Sequence, residues 1–182
     1  MRARRWLTPL LAVTALLTRA DLALAGGACD AFKWDVRHER SLFATRAENR
    51  DAGSAVASAP VIRLEHLYRL RLLPQGRVAF AAPAGRSTHR EGARAGLVRV
   101  RIAVGGLYRI ALSQRFWVDA LESGRIVAPL DFTGVRACSA PHKILLYRLG
   151  AGALLLQLSG WASPQTELTV TRAPADTATP RR

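Results

Sequence analysis

Short apolar segments that alternate with polar residues recur along most of the chain, a pattern typical of β-strands with one buried face. The two clearest are 67–73, which contains Arg69 and Arg71, and 97–104, which contains Arg99 and Arg101. Further strands are predicted at 78–81, 108–112, 116–121, 124–130, 144–149, 154–158 and 167–172. No helical pattern lies between them, so we predict an all-β antiparallel sandwich. A closed barrel is the alternative, because strand count does not separate the two architectures.

Glycine-rich reversals and loops divide these strands. Hairpin turns are predicted at three reversals that contain glycine: 105–106, 122–124 and 150–152. Segments 51–60 and 82–95 lack periodicity and are predicted to be loops. Before the first loop, Asp35 can cap a short helix that packs on the outside of a sheet.

The first residues of the chain have the features of a secretory signal peptide. An apolar run of 12 residues at 6–17 follows a basic start, and Ala23-Leu24-Ala25 matches a small-x-small cleavage site. The run is shorter than the roughly 20 apolar residues that a membrane span needs. We therefore expect an exported protein, periplasmic or secreted, that does not span the membrane. The predicted organisation is a signal peptide at 1–25, one domain at 26–172 and a flexible tail at 173–182.

The net charge of the chain is strongly positive, at +14. Removing the leader takes away four arginines and one aspartate and leaves +11. Such a charge attracts acidic polysaccharide, phosphorylated lipid or nucleic acid. However, only Lys33 and Lys143 are lysines, and a chain this rich in arginine and alanine is typical of a GC-biased coding sequence. The charge alone therefore names no partner, and nucleic acid is not favoured.

The two cysteines are predicted to form one disulfide, Cys29 to Cys138, because an exported chain folds in an oxidising compartment. Closing a loop of about 100 residues stabilises the folded chain by up to about 4.7 kcal/mol. Neither cysteine lies in a CxxC motif or beside a histidine pair, so a metal-binding or catalytic role is not expected.

Part of the chain resembles a known class of sandwich domain. Segments 106–112, 116–120 and 122–124 combine a glycine, aromatic residues and alternating strands, and the Leu-Gly-Ala-Gly turn at 149–152 precedes an apolar strand. This order is similar to that of PA14-like and carbohydrate-binding jelly-roll modules. The mature chain is also similar to small exported bacterial proteins without an assigned activity. The resemblance implies a jelly-roll fold, and its mostly structural motifs imply no particular chemistry.

No catalytic motif stands out in the sequence. A mononuclear iron oxygenase needs two histidines and a carboxylate that converge on one metal ion, but the four histidines here are scattered without an HxH or HxD pair. They are His38, His66, His89 and His142. There is no GxSxG motif or glycine-rich phosphate loop, and Asp119 and Glu122 are the close candidates for a hydrolytic carboxylate pair. We predict no cofactor and no metal site, and the motifs do not support a dioxygenase.

Two tryptophans are candidate platforms for a sugar. Trp117 and Asp119 are two residues apart on one predicted strand and therefore share a face. If that face is the outer one, the indole can stack on a sugar while the carboxylate accepts hydroxyl hydrogen bonds. If that face is the inner one, Trp117 is buried in the core. The sequence does not decide between these two orientations. Trp161 is the second platform, with capping of the core as its alternative.

The arginines of the two clearest strands are the other candidate site. Should these strands be neighbours, four arginines would share one face: Arg69, Arg71, Arg99 and Arg101. Like charges side by side reduce stability unless an anion or carboxylates offset them. This arrangement predicts a site for an anionic envelope glycan or lipid head group, with a plain solvated face as the alternative.

Together these features predict an exported, non-catalytic binding or accessory module of the bacterial cell envelope, with a glycan or anionic envelope ligand. The alternatives are a small exported enzyme of unrecognised type and a structural partner of another envelope protein. An exposed Trp117 beside Asp119 would favour glycan binding, whereas an apolar patch at an exposed edge strand would favour a protein partner. A deep pocket with converging histidines and carboxylates would favour an enzyme. The sequence predicts no oligomeric state.

Overall fold

The computed structural model describes three ranges of the chain: residues 29–85, 91–138 and 140–174. The helix α1 spans Arg37–Phe43. The strands are β1 (Glu48–Asp51), β2 (Val61–Ile62), β3 (Tyr68–Arg71), β4 (Leu73–Pro74), β5 (Arg94–Ile102), β6 (Gly106–Leu112), β7 (Trp117–Glu122), β8 (Arg125–Val127), β9 (Asp131–Gly134), β10 (Lys143–Leu149), β11 (Gly152–Trp161) and β12 (Gln165–Arg172). The predicted signal peptide at 1–25 lies outside the described residues, as does most of the predicted tail.

The strands form two sheets that pack face to face. In sheet A the strand order is β1-β3-β12-β6-β10-β9, and in sheet B it is β2-β5-β11-β7-β8, with β4 paired to one end of β5. Neighbouring strands are antiparallel except for β1 with β3 and β2 with β5, which are parallel. The predicted all-β sandwich is confirmed. Because neither strand order returns to its first strand, the barrel alternative is wrong.

The main core lies between the sheets and is built from every second residue of the strands. Sheet A contributes Tyr68, Leu70, Ile110, Leu112, Tyr147, Leu168 and Val170, and sheet B contributes Val98, Val100, Ile102, Leu154, Leu156 and Leu158. The inward faces predicted from apolar alternation at 67–73, 97–104 and 108–112 are therefore confirmed.

Two of the three predicted hairpins are wrong. The chain passes from β5 to β6 at 103–105 and from β10 to β11 at 150–151, and each time it crosses from one sheet to the other. A glycine-rich reversal lets the chain turn, but it does not determine which sheet the next strand joins. The third turn does join an antiparallel pair, β7 and β8, with Ser123 at φ 48° and Gly124 at φ 77°.

The predicted strand at 78–81 is also wrong, because this segment pairs with neither sheet. Val78 packs beside Leu97 in a small apolar cluster, and the chain then continues across the outer face of sheet B as far as Gly85. We call residues 79–85 the strap. Phe80, Ala82 and Ala84 of the strap are half-buried and the residues between them are exposed, without strand pairing.

The helix α1 packs on the outer face of sheet A, as predicted. Asp35 lies just before it, and its Oδ1 accepts a hydrogen bond from the backbone N–H of Arg37 at 3.0 Å, although Val36 occupies the cap position itself. A second apolar cluster joins this N-terminal segment to the sheet. Its buried members are Phe32, Trp34, Val36, Phe43, Leu67, Ala111, Cys138, Ile144, Leu146 and Ala173.

The predicted disulfide between Cys29 and Cys138 is present, with the two Cα atoms 5.1 Å apart. Cys138 is fully buried in the second apolar cluster, so the bond ties the start of the described chain to sheet A. In the described ranges, no helix has the length and apolar character required to cross a bilayer.

Candidate ligand-binding surface

The outer face of sheet B carries four of the residues that the sequence singles out for binding. Residues directly opposite each other on neighbouring strands share a face. One row crosses the whole sheet and consists of Val61, Arg99, Leu155, Leu121 and Ile126. The other rows on this face are Arg101–Ala153, Gln157–Asp119 and Ser159–Trp117. Arg99 and Trp117 are thus about 10 Å apart across the strands and about 13 Å apart along them.

Trp117 lies on the outer face, because its neighbours Phe116 and Val118 are buried in the main core. Trp117 is 38% exposed, whereas Asp119 is only 4% exposed. The Asp119 carboxylate accepts hydrogen bonds from the indole Nε1 at 2.7 Å and from the backbone N–H of Gly85 at 3.1 Å. The carboxylate therefore holds the indole and the strap in place. It does not face solvent, as the predicted contact with sugar hydroxyls would require.

A buried glutamine anchors the middle of the strap to the same face. The side-chain oxygen of Gln157 accepts hydrogen bonds from the backbone N–H groups of Ala81 and Ala82 at 2.6 and 3.1 Å, and its nitrogen donates to the Ala82 carbonyl at 3.1 Å. The sequence predicts Gln157 only as part of the apolar strand at 154–158. A single amide among the leucines of 154–158 was the available signal, because a buried amide needs hydrogen-bond partners.

Trp161 caps the main core and does not join Trp117. Its ring packs against the core residues between the sheets, and its Nε1 donates to Oε1 of Gln114 at 3.3 Å. The guanidinium of Arg115 lies 5.7 Å from the ring centre. Because Trp117 is on the opposite side of sheet B, the two tryptophans do not form one platform.

The four predicted arginines do not share a face, because β3 belongs to sheet A and β5 to sheet B. Arg69 and Arg71 lie on the outer face of sheet A, where carboxylates from two other strands neutralise them. Arg69 contacts Glu167 at 2.7 Å, and Arg71 contacts Asp51 at 2.6 Å. The nearby Arg71 guanidinium lowers the pKa of Asp51. The predicted four-arginine site is therefore wrong. Two of its arginines, Arg69 and Arg71, are already neutralised by carboxylates of the protein itself.

Arg99 and Arg101 line an open groove of about 500 Å³ at the β2 side of sheet B, which we call the arginine groove. Its other lining residues include Val61, Ala103, Gly152 and Ala153, and none of the lining residues is acidic. Arg99 donates through Nε to the Ala59 carbonyl at 2.9 Å. The exposed Arg101 side chain makes no hydrogen bond or ion pair with any described residue. The groove thus combines two guanidinium groups with an apolar wall.

The residues considered for catalysis do not converge. Within the described ranges, no group of three His, Cys, Asp or Glu side chains is placed to hold a metal ion. Two histidines form pairs with single carboxylates, His38 with Glu65 and His66 with Glu48. Burial and the nearby Arg115 guanidinium lower the pKa of His142, and His89 lies outside the described residues. Asp119 and Glu122 are three positions apart on β7 and therefore face opposite ways.

A largely buried amine was not anticipated from the sequence. Lys143 faces the space between the sheets and donates a hydrogen bond to the Phe116 carbonyl. Burial lowers the pKa of Lys143 to about 8. Burial, together with the Asp119 charge, raises the pKa of the Tyr147 hydroxyl above its usual value. The burial of Lys143 could have been predicted from strand alternation. Lys143, Leu145 and Tyr147 are alternate residues of one strand, and the last two face the core.

Comparison with known proteins adds no family to these observations. No protein-family model matches the chain, and a search of curated proteins gives no match either. Inference about function therefore depends on the geometry of the described surfaces.

Proposed function

We propose that this chain is an exported, non-catalytic binding module of the bacterial cell envelope, and that its arginine groove takes an anionic glycan or another anionic envelope component. One contrast carries the proposal. The two arginines of β3 are each paired with a carboxylate, whereas no acidic residue lines the groove that holds the two arginines of β5. Positive charge that the fold leaves uncompensated at a concave surface is available to a ligand.

The chemistry of the groove suits a chain of carboxylates or phosphates. Arg99 and Arg101 are two positions apart on one strand, so their Cα atoms are about 7 Å apart. Guanidinium groups bind carboxylate and phosphate through paired N–H donors. Val61, which is 58% exposed beside them, provides an apolar surface against which the ring of a sugar can pack.

Export is the second part of the proposal. A signal peptide ending near Ala25 would bring the mature chain to an oxidising compartment, and the Cys29–Cys138 disulfide is the kind of bond that persists there. The resemblance to carbohydrate-binding jelly-roll modules agrees with a binding role, and we include a glycan among the ligands on that ground.

Two matched double variants test the groove. Arg99→Ala with Arg101→Ala removes two charges from the groove, and Arg69→Ala with Arg71→Ala removes two charges from the compensated face of sheet A. Binding is measured with an oligogalacturonate and with vesicles containing phosphatidylglycerol, at low and at physiological salt. We expect the groove variant to bind at least about tenfold more weakly and the control to stay within about twofold, because both lower the net charge equally. Wild-type binding should weaken as salt rises.

The results separate the sources of the anion. Binding only to the oligosaccharide indicates a glycan, and binding only to vesicles indicates a lipid head group. Trp117→Ala adds a further distinction, because weaker oligosaccharide binding in that variant would show that the ligand extends past the strap to the indole. Equal loss in both arginine double variants would mean that net charge alone attracts the anion, and the proposal would be rejected.

A further inference from the structure

The lateral edge formed by β8, β9 and the link between them exposes large apolar side chains. Phe132 is 65% exposed, Leu130 55% and Ile126 48%. Leu130 lies at a bend just before β9, and Phe132 is the second residue of that strand. We call these three residues and the strands that carry them the β8–β9 edge. Phe132 is opposite Leu145 of β10, whereas Ile126 is opposite Leu121 and lies on the outer face of sheet B. Exposed apolar residues along an edge are typical of an interaction surface.

The two edges of sheet A are built differently. At one edge, β1 consists of Glu48, Asn49, Arg50 and Asp51, and polar and charged side chains of this kind protect an edge strand from pairing with another chain. At the other edge, β9 pairs with β10 on one side, and no described strand pairs with its other side. Asp131 is the only charged residue of β9, and its Oδ1 forms an ion pair with the Nζ of Lys33 at 2.9 Å. The fold therefore protects one edge of the sheet, whereas the other is unpaired in the described ranges and exposes Phe132, whose backbone N–H donates to Asp131 at 2.7 Å.

The charges around the β8–β9 edge define what it can accept. Arg125 begins β8, where Glu122 of β7 lies opposite it, and Arg136 follows β9. Neither side chain makes a hydrogen bond or ion pair with any described residue. The Nζ of Lys33 also lies 5.9 Å from the Phe132 ring centre. A partner with acidic residues matches this surface, whereas a second copy of a chain with net charge +14 does not.

We propose that the β8–β9 edge docks an extended segment of another protein, in which acidic and apolar residues alternate, and that this segment adds to β9 as a further strand of sheet A. Main-chain hydrogen bonds between the added segment and β9 would provide affinity. Side chains of the segment that pack over Phe132 and Leu130 would provide specificity. The inference does not rest on the proposed function. The arginine groove lies at the β2 side of sheet B, at the opposite lateral edge from β8.

The test uses a fluorescent peptide of alternating glutamate and valine as the probe. The comparison peptides alternate lysine with valine, to reverse the charge, and glutamate with proline, which has no backbone N–H to donate to a strand. Fluorescence anisotropy measures the affinity, and hydrogen exchange shows which amides the peptide protects. We expect the glutamate–valine peptide to bind and to protect amides within residues 131–134, and both comparison peptides to bind at least about tenfold more weakly.

Two variants locate the contact. Phe132→Thr should weaken glutamate–valine binding at least about tenfold, and Val56→Thr, an exposed valine outside both the β8–β9 edge and the arginine groove, should leave it unchanged. Both residues are exposed, so both variants should fold, which thermal unfolding checks. The proposal is overturned if the glutamate–valine peptide does not bind, if Phe132→Thr binds it as wild type does, or if no amide within residues 131–134 is protected. A wild-type dimer in sedimentation that Phe132→Thr abolishes would also overturn it, because the occupant would then be a second copy.

Discussion

One terminal nitrogen of Arg109 lies 3.3 Å from each carboxylate oxygen of Glu39, and both side chains are buried. Glu39 is on α1 and Arg109 is on β6, so the pair joins the helix to the outer face of sheet A. The same arginine nitrogen donates to the Asp35 carbonyl at 2.8 Å, and the Thr171 hydroxyl donates to Glu39 at 2.9 Å. This buried ion pair and the apolar side chain of Phe43 are the buried contacts that hold the short helix on the sheet.

Removing the carboxylate should destabilise the protein strongly. Glu39→Ala removes the carboxylate that faces the buried Arg109 guanidinium, and we expect the free energy of unfolding in urea to fall by about 3–5 kcal/mol. Glu167→Ala is the control, because Glu167 also pairs with an arginine but in a more exposed position, where a pair contributes at most about 1 kcal/mol. Equal losses in the two variants would contradict a special role for the buried pair.

Local alternation predicts which residues face the core, but it does not predict which strands become neighbours. The inward positions on β3, β5 and β6 follow from the sequence, because each must be apolar to pack between two sheets. The sheet crossings at 103–105 and 150–151 do not follow from it. A turn at either place is compatible with a hairpin or with a crossing, and only long-range pairing decides between them.

The same limit applies to the candidate site. The arginine-containing strands β3 and β5 have nearly identical patterns, yet one lies in each sheet. The carboxylates that neutralise Arg69 and Arg71 come from β12 and β1, which no local pattern connects to β3. Trp117 points to the outer face of its sheet, which is one of the two orientations that the sequence allows. The burial of Asp119 depends on the strap, which pairs with no strand and has no periodic pattern of apolar residues.

Loss of the disulfide should reduce stability without changing the fold. Replacing Cys29 and Cys138 together by alanine releases a connection between residues 109 positions apart, and we expect the free energy of unfolding to fall by about 2–5 kcal/mol. Urea unfolding measures the change, and peptide mass mapping without reductant checks the bond in the wild type. Two free thiols in the native protein, or unchanged stability in the double variant, would contradict this prediction.

The strap should detach when a methyl group is added at Gly85. A Cβ atom there would lie 2.7 Å from both Asp119 Oδ1 and Trp117 Nε1, so the strap or the two side chains must move. We expect Gly85→Ala to cost about 1–3 kcal/mol, to alter Trp117 fluorescence and to speed hydrogen exchange at Ala81 and Ala82. Gly76→Ala is the control, because a Cβ there would have no neighbour within 4 Å. Unchanged exchange in Gly85→Ala would show that the strap is not held at this point.

The stability of the protein should rise between pH 8 and pH 10, because of Lys143. Its pKa is about 8 in the folded chain and 10.5 in the unfolded chain, so between these values the unfolded chain binds more protons. Stability therefore increases with pH in this window, by up to about 3 kcal/mol, and is lowest below pH 8, where the amine is charged and poorly hydrated. Above pH 10 the trend should reverse, since the Tyr147 hydroxyl ionises more readily in the unfolded chain.

Urea unfolding at a series of pH values measures this dependence, and the two lysines of the chain provide a matched comparison. Lys143→Met removes the buried amine and should raise the stability at pH 7 and flatten the rise toward pH 10. Lys33→Met removes an exposed amine and should leave the rise intact. If wild-type stability falls steadily from pH 8 upward, or if the two variants have the same pH profile, then Lys143 keeps its proton in the folded protein and its burial has little energetic cost.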